Sequence, residues 1–361
     1  EGNAMTKKVL ARVLSFTMMA FLFTGCASNE PPKTSQPAAA PPSAPASSEP
    51  PTRTPLDISE RTIRFATTSS EGTAVVDAMH SFADLVKEAS GGLITVDIYP
   101  SSALGDVSES YQNVQLGVLD MAVTSAQNVA GSGASDFVAL SLPYVFKNSE
   151  HIIDVIQGEI GTQLLASVQA SGTKCVGIGF WDAGSRCFFT KTPVRSLADI
   201  KGMKIRCQQL DVDTDMTKAL GASPTPIAFS ELYSALQTGV VDGAENPLSG
   251  IYSGKYYEVC KYVTLDEHSA PPVVIVFSEA IWNTMSEDEH GIIMDAWKEA
   301  SSTNYDCLVS EQAHYIQLLE AEGVEVIQLS DKDDWYAAMD SVYKTYGAEC
   351  ADVLEAIAAI G

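Results

Sequence analysis

The chain has 361 residues, 45% of them hydrophobic, and carries 46 acidic against 22 basic side chains, a formal net charge of −24. That length leaves room for two lobes with cores of their own. So acidic a chain opposes binding to nucleic acid or to anionic lipid, and an anionic small ligand would need a local positive focus in its site.

Glu1-Gly-Asn-Ala4 precedes the first methionine and reads as an expression remnant. Lys7, Lys8 and Arg12 then lead into the apolar run Val13 to Phe23, which ends at Thr24-Gly25-Cys26. A positive start, a short apolar core and small residues at the cut make 1–25 a secretory signal, too short to span a bilayer comfortably. A cysteine directly after those small residues resembles a bacterial lipobox, with Phe23 where leucine is usual. The expectation is lipid attachment at Cys26; the alternative is an ordinary signal with an incidental cysteine. Residues 26–57 are rich in Pro, Ala, Ser and Thr without hydrophobic periodicity, the composition of a flexible tether.

Beyond the tether, Ile63 to Thr67 is β-prone. Val75, Val76, Met79, Phe82, Leu85 and Val86 recur at helical spacing until Gly91-Gly92. Ile94, Val96 and Ile98 alternate with polar neighbours, a strand closed by Pro100. A helix over about 106–117 leads to a strand at 119–123, a helical region covers 151–170, and 174–181 is an apolar strand. Strands alternating with helices predict an α/β fold with a mostly parallel sheet. A second α/β set begins near Gly184, with strands at 186–190 and 203–207 and helices at 212–220 and 230–238. A strand at 273–278 and a long helix from Ser286 towards Glu322 follow, and the end is helical again from about Asp334.

Apart from Cys26 there are six cysteines: Cys175, Cys187, Cys207, Cys260, Cys307 and Cys350. Their even number permits disulfides in an exported protein, but no spacing suits a metal finger, and small buried hydrophobes are an equal account.

Several segments together resemble the TRAP transporter solute-binding proteins, the DctP type. Asp199-Ile-Lys-Gly202-Met-Lys-Ile-Arg206 is similar to the segment that places their carboxylate-binding arginine, and Gly184-Ser-Arg186 to the one carrying a second arginine. Gly221 to Pro226, Phe229-Ser-Glu231, Leu236 to Pro247, Tyr99 to Gly105 and Leu142 to Phe146 continue the pattern in order, from about residue 60 to 310. The resemblance implies a type II periplasmic-binding-protein-like fold of two α/β lobes, a hinge, and a long lobe-spanning helix at 286–322. Carried over, lobe one is 58–183 plus 272–311, and lobe two is 184–271 plus 312–361. It further implies a transport receptor that passes its ligand to two integral-membrane subunits.

The arginines carry independent information. After the signal they are only Arg53, Arg61, Arg64, Arg186, Arg195 and Arg206. Their planar fork pairs bidentately with a carboxylate, which lysine cannot do. In Met203 to Cys207, strand alternation sets Arg206 opposite Met203, Ile205 and Cys207; Arg186 likewise opposes Cys187. The bland alternative for either is a structural ion pair; the resemblance assigns Arg206 to the ligand carboxylate and Arg186 to a second anion contact. It also implies Asn246 as an amide reaching the ligand and Phe229 as a cleft aromatic, against a turn asparagine and a core phenylalanine. Trp181 walls the cleft or packs the hinge. Thr68, Glu71, Ser125 and Asn128 fall at loop ends of the opposite wall, where sialate-binding members place a glutamate and an arginine near Ser125 and Asn128, which argues against sialate. Asp266-Glu-His268-Ser resembles members that bind uronic acids, so His268 joins the candidate set.

Asp211-Val-Asp213-Thr-Asp215 lacks the glycine and final glutamate of a calcium loop and fits an acidic helix start better. Gly131-Ser-Gly133 and Gly177-Ile-Gly179 are incomplete as dinucleotide loops, and nothing assembles into a catalytic set, a metal site or a cofactor site. The reading is a lipid-anchored extracytoplasmic receptor for a small organic acid, a uronate-type acid sugar before a four-carbon dicarboxylate. An exported enzyme or a sensor domain on the same scaffold is the reading from another class.

Overall fold

The structure, a computed structural model, describes residues 56–361, apart from the side chains of 307–311. The signal, Cys26, nearly all of the tether and the Cys307 thiol lie outside the described residues. In chain order the strands are β1 (Arg61–Ala66), β2 (Ile94–Tyr99), β3 (Met121–Thr124), β4 (Cys175–Trp181), β5 (Arg186–Thr190), β6 (Lys204–Cys207), β7 (Ser223–Pro226), β8 (Gly243–Pro247), β9 (Tyr262–Ser269), β10 (Val273–Ser278) and β11 (Glu325–Gln328).

They form two sheets. The first has the order β2-β1-β3-β10-β4 and the second β11-β9-β5-β8-β6-β7. In the first sheet only β10 runs against its neighbours, and in the second only β5 does. These are the strands that follow the two direct strand-to-strand crossings between sheets, at 182–185 and 270–272, the long helix making a third crossing from β10 to β11. Each sheet is mostly parallel, as the alternation of strands and helices requires.

Helix Ala74–Ala89 buries Val75, Val76, Met79, Phe82 and Val86 against Ile63 and Phe65. The long helix Glu287–Ala321 opens with a capping box, in which Ser286 and Glu289 satisfy each other's backbone N–H groups. It lies against helix Ala74–Ala89 and β4 at one end and helix Leu248–Ser253 and β11 at the other, so it is packed with both sheets. The Gly177-Ile-Gly179 pair is explained here. A Cβ on Gly179 would sit 1.9 Å from the Trp297 ring of the long helix, and one on Gly177 would sit 3.0 Å from both Leu165 and Val168. These glycines allow helices to approach β4 closely and serve no nucleotide.

Elsewhere the structure departs from the sequence reading. Residues 151–170 form two helices, Ser149–Gln157 and Glu159–Ala170, parted at Gly158. Strands β7, β8, β9 and β11 were not legible. β7 reads Ser-Pro-Thr-Pro and lies at the sheet edge, where proline costs no ladder bond. β8 is buried throughout and carries no alternation. The three helices after Lys332 bridge the halves: Asp340–Tyr346 packs on Asp211–Ala219, whereas Ala351–Ala359 packs on Glu159–Ala170.

Candidate functional site

A cavity, partly open to solvent, lies where the loop ends of the two sheets face each other. From the first half it is lined by Thr68, Ser69, Ser70, Thr73, Asp106, Ser108, Thr124 and Ser125; from the second by Arg186, Arg206, Gln208, Phe229, Asn246 and Ser249. Two helices present their N-termini to it. Ala74–Ala89 contributes Thr73 to Val75, and Val107–Gln115 contributes Asp106 to Ser108, with Asp106 capping its own helix. Helix N-termini carry partial positive charge, so together with Arg206 they supply the positive focus that an acidic chain needs.

The two arginines reach the cavity from opposite faces of the second sheet. Arg186 pairs in register with Pro247 and therefore shares a face with Glu245. Ile205 pairs with Gly243, which puts Arg206 on the face of Ala244 and Asn246. Each cysteine thus sits opposite its own arginine but on the face of the other one. Neither sulfur lines the cavity, because the cavity lies at the strand ends. β8 runs between β5 and β6, so the two cysteine-bearing strands are not neighbours, and Cys187 and Cys207 are both free thiols.

Arg206 is 2% exposed. Its Nε donates to the Ile227 carbonyl at 2.9 Å, and its guanidinium carbon stands 5.7 Å from the Phe229 ring centre. Its Nη1 is buried and has no hydrogen-bond partner among the described residues. Burial lowers its pKa, and Glu245 only partly offsets this. A guanidinium stays protonated in proteins, so Arg206 holds a buried positive charge with an unused donor.

Arg186 is differently committed. Its Nε and Nη2 grip the two carboxylate oxygens of Glu245, Nη2 at 3.0 Å, and Nη2 also reaches the Glu245 carbonyl at 3.1 Å. Burial would raise the pKa of Glu245, but Arg186 and His268 together bring it down to about 2. Behind this pair, His268 stacks on Phe188, donates from Nδ1 to the Asp266 carboxylate at 2.7 Å, and holds Nε2 3.7 Å from Glu245. Burial disfavours its charged form, yet Asp266 and Glu245 raise its pKa to about 9.

Of the other sequence candidates, Thr68, Ser125, Asn246 and Phe229 line the cavity. Asn246 packs so closely on Gly250 that a Cβ there would meet its Nδ2 at 2.5 Å. Four candidates lie elsewhere. Trp181 is fully buried, donates to Ser301 at 3.0 Å and packs beside Phe65. Glu71 is exposed and faces His80 at 3.3 Å. Asn128 accepts from Ser108 at 3.1 Å and donates to the Thr124 hydroxyl and the Val107 carbonyl, so it braces cavity residues without lining the cavity. His268 stands behind Glu245, away from the lining. Sequence reasoning missed Glu245, which lay inside the quoted run 236–247 but whose role needs the Arg186 pairing to be seen. It also missed Ser69, Ser70, Thr73, Ser108 and Thr124 of the first half, residue types too common to stand out. Among the described residues no cluster of histidine, cysteine and acidic groups could hold a metal ion, and no helix is long and apolar enough to cross a membrane.

Comparison with known proteins follows the same geometry. The model of the family described as bacterial extracellular solute-binding protein, family 7 (DctP) matches residues 65–349. A solute-binding protein of Roseobacter denitrificans is 32% identical over 300 residues, 82% of this chain and 91% of its own length. The C4-dicarboxylate-binding protein DctB of Bacillus subtilis is 32% identical over 78% of this chain and 81% of its own. A crystal structure of a TRAP periplasmic solute-binding protein of Pseudomonas putida F1 with bound D-glucuronate superposes with a TM-score of 0.79 at 33% identity, covering 83% of this chain and 97% of that one. The fold is accordingly the two-lobed type II periplasmic-binding-protein fold, and the chain belongs to family 7 of the bacterial extracellular solute-binding proteins, the DctP family of TRAP receptors.

Proposed function

We propose that this receptor captures a uronate-type acid sugar between its lobes and delivers it to integral-membrane TRAP subunits without changing it chemically. The observation that carries this reading is Arg206: a buried guanidinium with an unused donor at a cavity lined by both halves of the chain. A ligand carboxylate on Nη1 would supply the missing partner, and a charge-assisted bond there is about twice as strong as a neutral one. Phe229 and Asn246 flank that carboxylate, and Thr68 and Ser125 meet the hydroxyls from the opposite wall. The cavity's many serine and threonine hydroxyls suit a polyhydroxylated ligand, as does the D-glucuronate bound in the Pseudomonas putida protein.

A four-carbon dicarboxylate is the second reading, supported by the likeness to DctB. Two Arg186 nitrogens are already engaged by Glu245, which leaves that guanidinium poorly placed for a second carboxylate. Lobe one on this reading comprises 58–183 and 272–311, and lobe two 184–271 and 312–361. Lipid attachment at Cys26 and the tether to residue 57 would hold the receptor at the outer face of the cytoplasmic membrane or in the periplasm. Thermal-shift titration with D-glucuronate, D-galacturonate, succinate and malate tests the reading, since a ligand of the native state raises the melting temperature. An acid sugar should give the largest shift; a larger one with succinate would favour the dicarboxylate.

A further inference from the structure

Helix Asp211–Ala219, which follows β6 in the second half, begins badly for a helix. Its N-cap is Leu210, whose side chain cannot accept a hydrogen bond, and no side chain of its own segment caps it. The acceptor comes from across the cleft instead. Gln127, on helix Ala126–Gly131 of the first half, accepts the Val212 backbone N–H on Oε1 at 3.1 Å. The same amide donates from Nε2 to Asp213 Oδ1 at 2.9 Å. The other Asp213 oxygen accepts from Gln208 at 2.9 Å, and Gln208 lines the cavity two residues beyond Arg206. One amide therefore satisfies a first-turn N–H and a first-turn carboxylate of a helix in the other half, and separating the halves breaks both bonds at once.

We propose that Gln127 is a positioning residue that caps helix Asp211–Ala219 in trans only when the lobes are closed, and that Asp213 and Gln208 tie this latch to the occupied cavity. The inference rests on the ligand-capture reading above and adds to it a device outside the ligand's own contacts. A ligand drives closure only by binding the closed state better. Bonds made only in the closed state add to the affinity of any ligand that closes the lobes, and they do so by slowing release. In the open form the Leu210 cap leaves Val212 N–H to water.

The test compares wild type with Gln127→Met, which keeps side-chain length but neither accepts nor donates as the amide does. With D-glucuronate as probe, calorimetry and stopped-flow kinetics should show a Kd weakened at least about 30-fold, the lower bound for two lost bonds of which one is to a carboxylate. The loss should lie in dissociation, with association unchanged. The ligand-free melting temperature should not move, and amide exchange at Val212 in the liganded protein should accelerate. In an Asp213→Asn background the Gln127→Met effect should shrink, since the two share one bond. Unaltered Kd and dissociation rate in Gln127→Met would overturn the latch, and so would a fall in the ligand-free melting temperature equal to that of the liganded protein. If wild type binds none of D-glucuronate, D-galacturonate and succinate, the capture reading fails by itself. The latch is then decided on the ligand-free, open chain: equal Val212 exchange in wild type and Gln127→Met upholds it, and faster exchange in the variant overturns it.

Discussion

Arg206 and Arg186 look alike in sequence and behave differently in place. Arg206 retains an unpartnered buried Nη1, whereas Arg186 is paired with Glu245 and backed by His268 and Asp266. Arg206→Lys should weaken acid binding about 10- to 100-fold with the fold intact, because a point charge replaces a planar fork; calorimetry reads this directly. Gly250→Ala should also reduce affinity, by displacing the Asn246 amide it would collide with. The His268 cluster has its own pH signature. The folded pKa of about 9 lies above the ordinary 6.5, so this stabilisation is complete below pH 6.5 and lost as pH rises to about 9. His268→Asn should flatten that alkaline limb in melting temperatures recorded from pH 6 to 10. Arg206 was singled out by the family resemblance, since scarcity of arginine and strand alternation alone fit a structural ion pair equally well. Glu245 was not, because its role appears only once β5 and β8 are paired. His268 joins the candidates by resemblance, and the sequence leaves Trp181 between cleft wall and hinge; both side chains turn into the core.

Among the elements, the crossing at 182–185 and the long helix govern how the halves are held. Asp182 is fully buried, and its backbone N–H and carbonyl exchange bonds with Asn304 of the long helix at 2.9 and 3.0 Å. One carboxylate oxygen accepts from Gly184 N–H, and the other has no partner among the described residues. Burial raises its pKa to about 6, partly offset by the Gly184 and Ala183 N–H groups. A carboxyl whose folded pKa exceeds its unfolded value is bound more tightly as the acid. The chain should therefore lose stability as pH rises from about 4 to 6, by about 2–3 kcal/mol from this group alone. Asp182→Asn should abolish that slope and raise the melting temperature at pH 7. Gly179→Ala should cost about 1–3 kcal/mol or more, because the Trp297 ring leaves no room for a Cβ and the long helix must shift; denaturant unfolding measures it. Helices were readable from period and capping, Ser286 to Glu322 almost to the residue. The short strands β7 and β8 were not, since four or five buried or proline-bearing residues carry no period, and the four residues of β11 are too few to show one. The cap that Gln127 lends to helix Asp211–Ala219 was invisible for a stronger reason: it joins residues 85 positions apart.

At the scale of the molecule, the proposed function asks a chain with a net charge of −24 to take up an anion. Long-range repulsion is screened over roughly 8–10 Å at physiological salt, while the Arg206 fork and two helix N-termini act at contact distance. Both halves line the cavity, so a ligand seated there touches both and favours the arrangement in which they face each other. The order of motifs along the chain was enough to expect two lobes and a carboxylate clamp. It could not show that the two arginines approach from opposite faces of one sheet. The most direct test of the central claim is calorimetric titration of the wild-type chain with D-glucuronate, D-galacturonate, succinate and a neutral hexose, with small-angle scattering and mass spectra of each mixture. The account predicts one-site binding of an acid, abolished in Arg206→Met, with a smaller radius of gyration and the ligand recovered unaltered. Tight binding of the neutral sugar with no acid bound, or recovery of a chemically changed ligand, would contradict it.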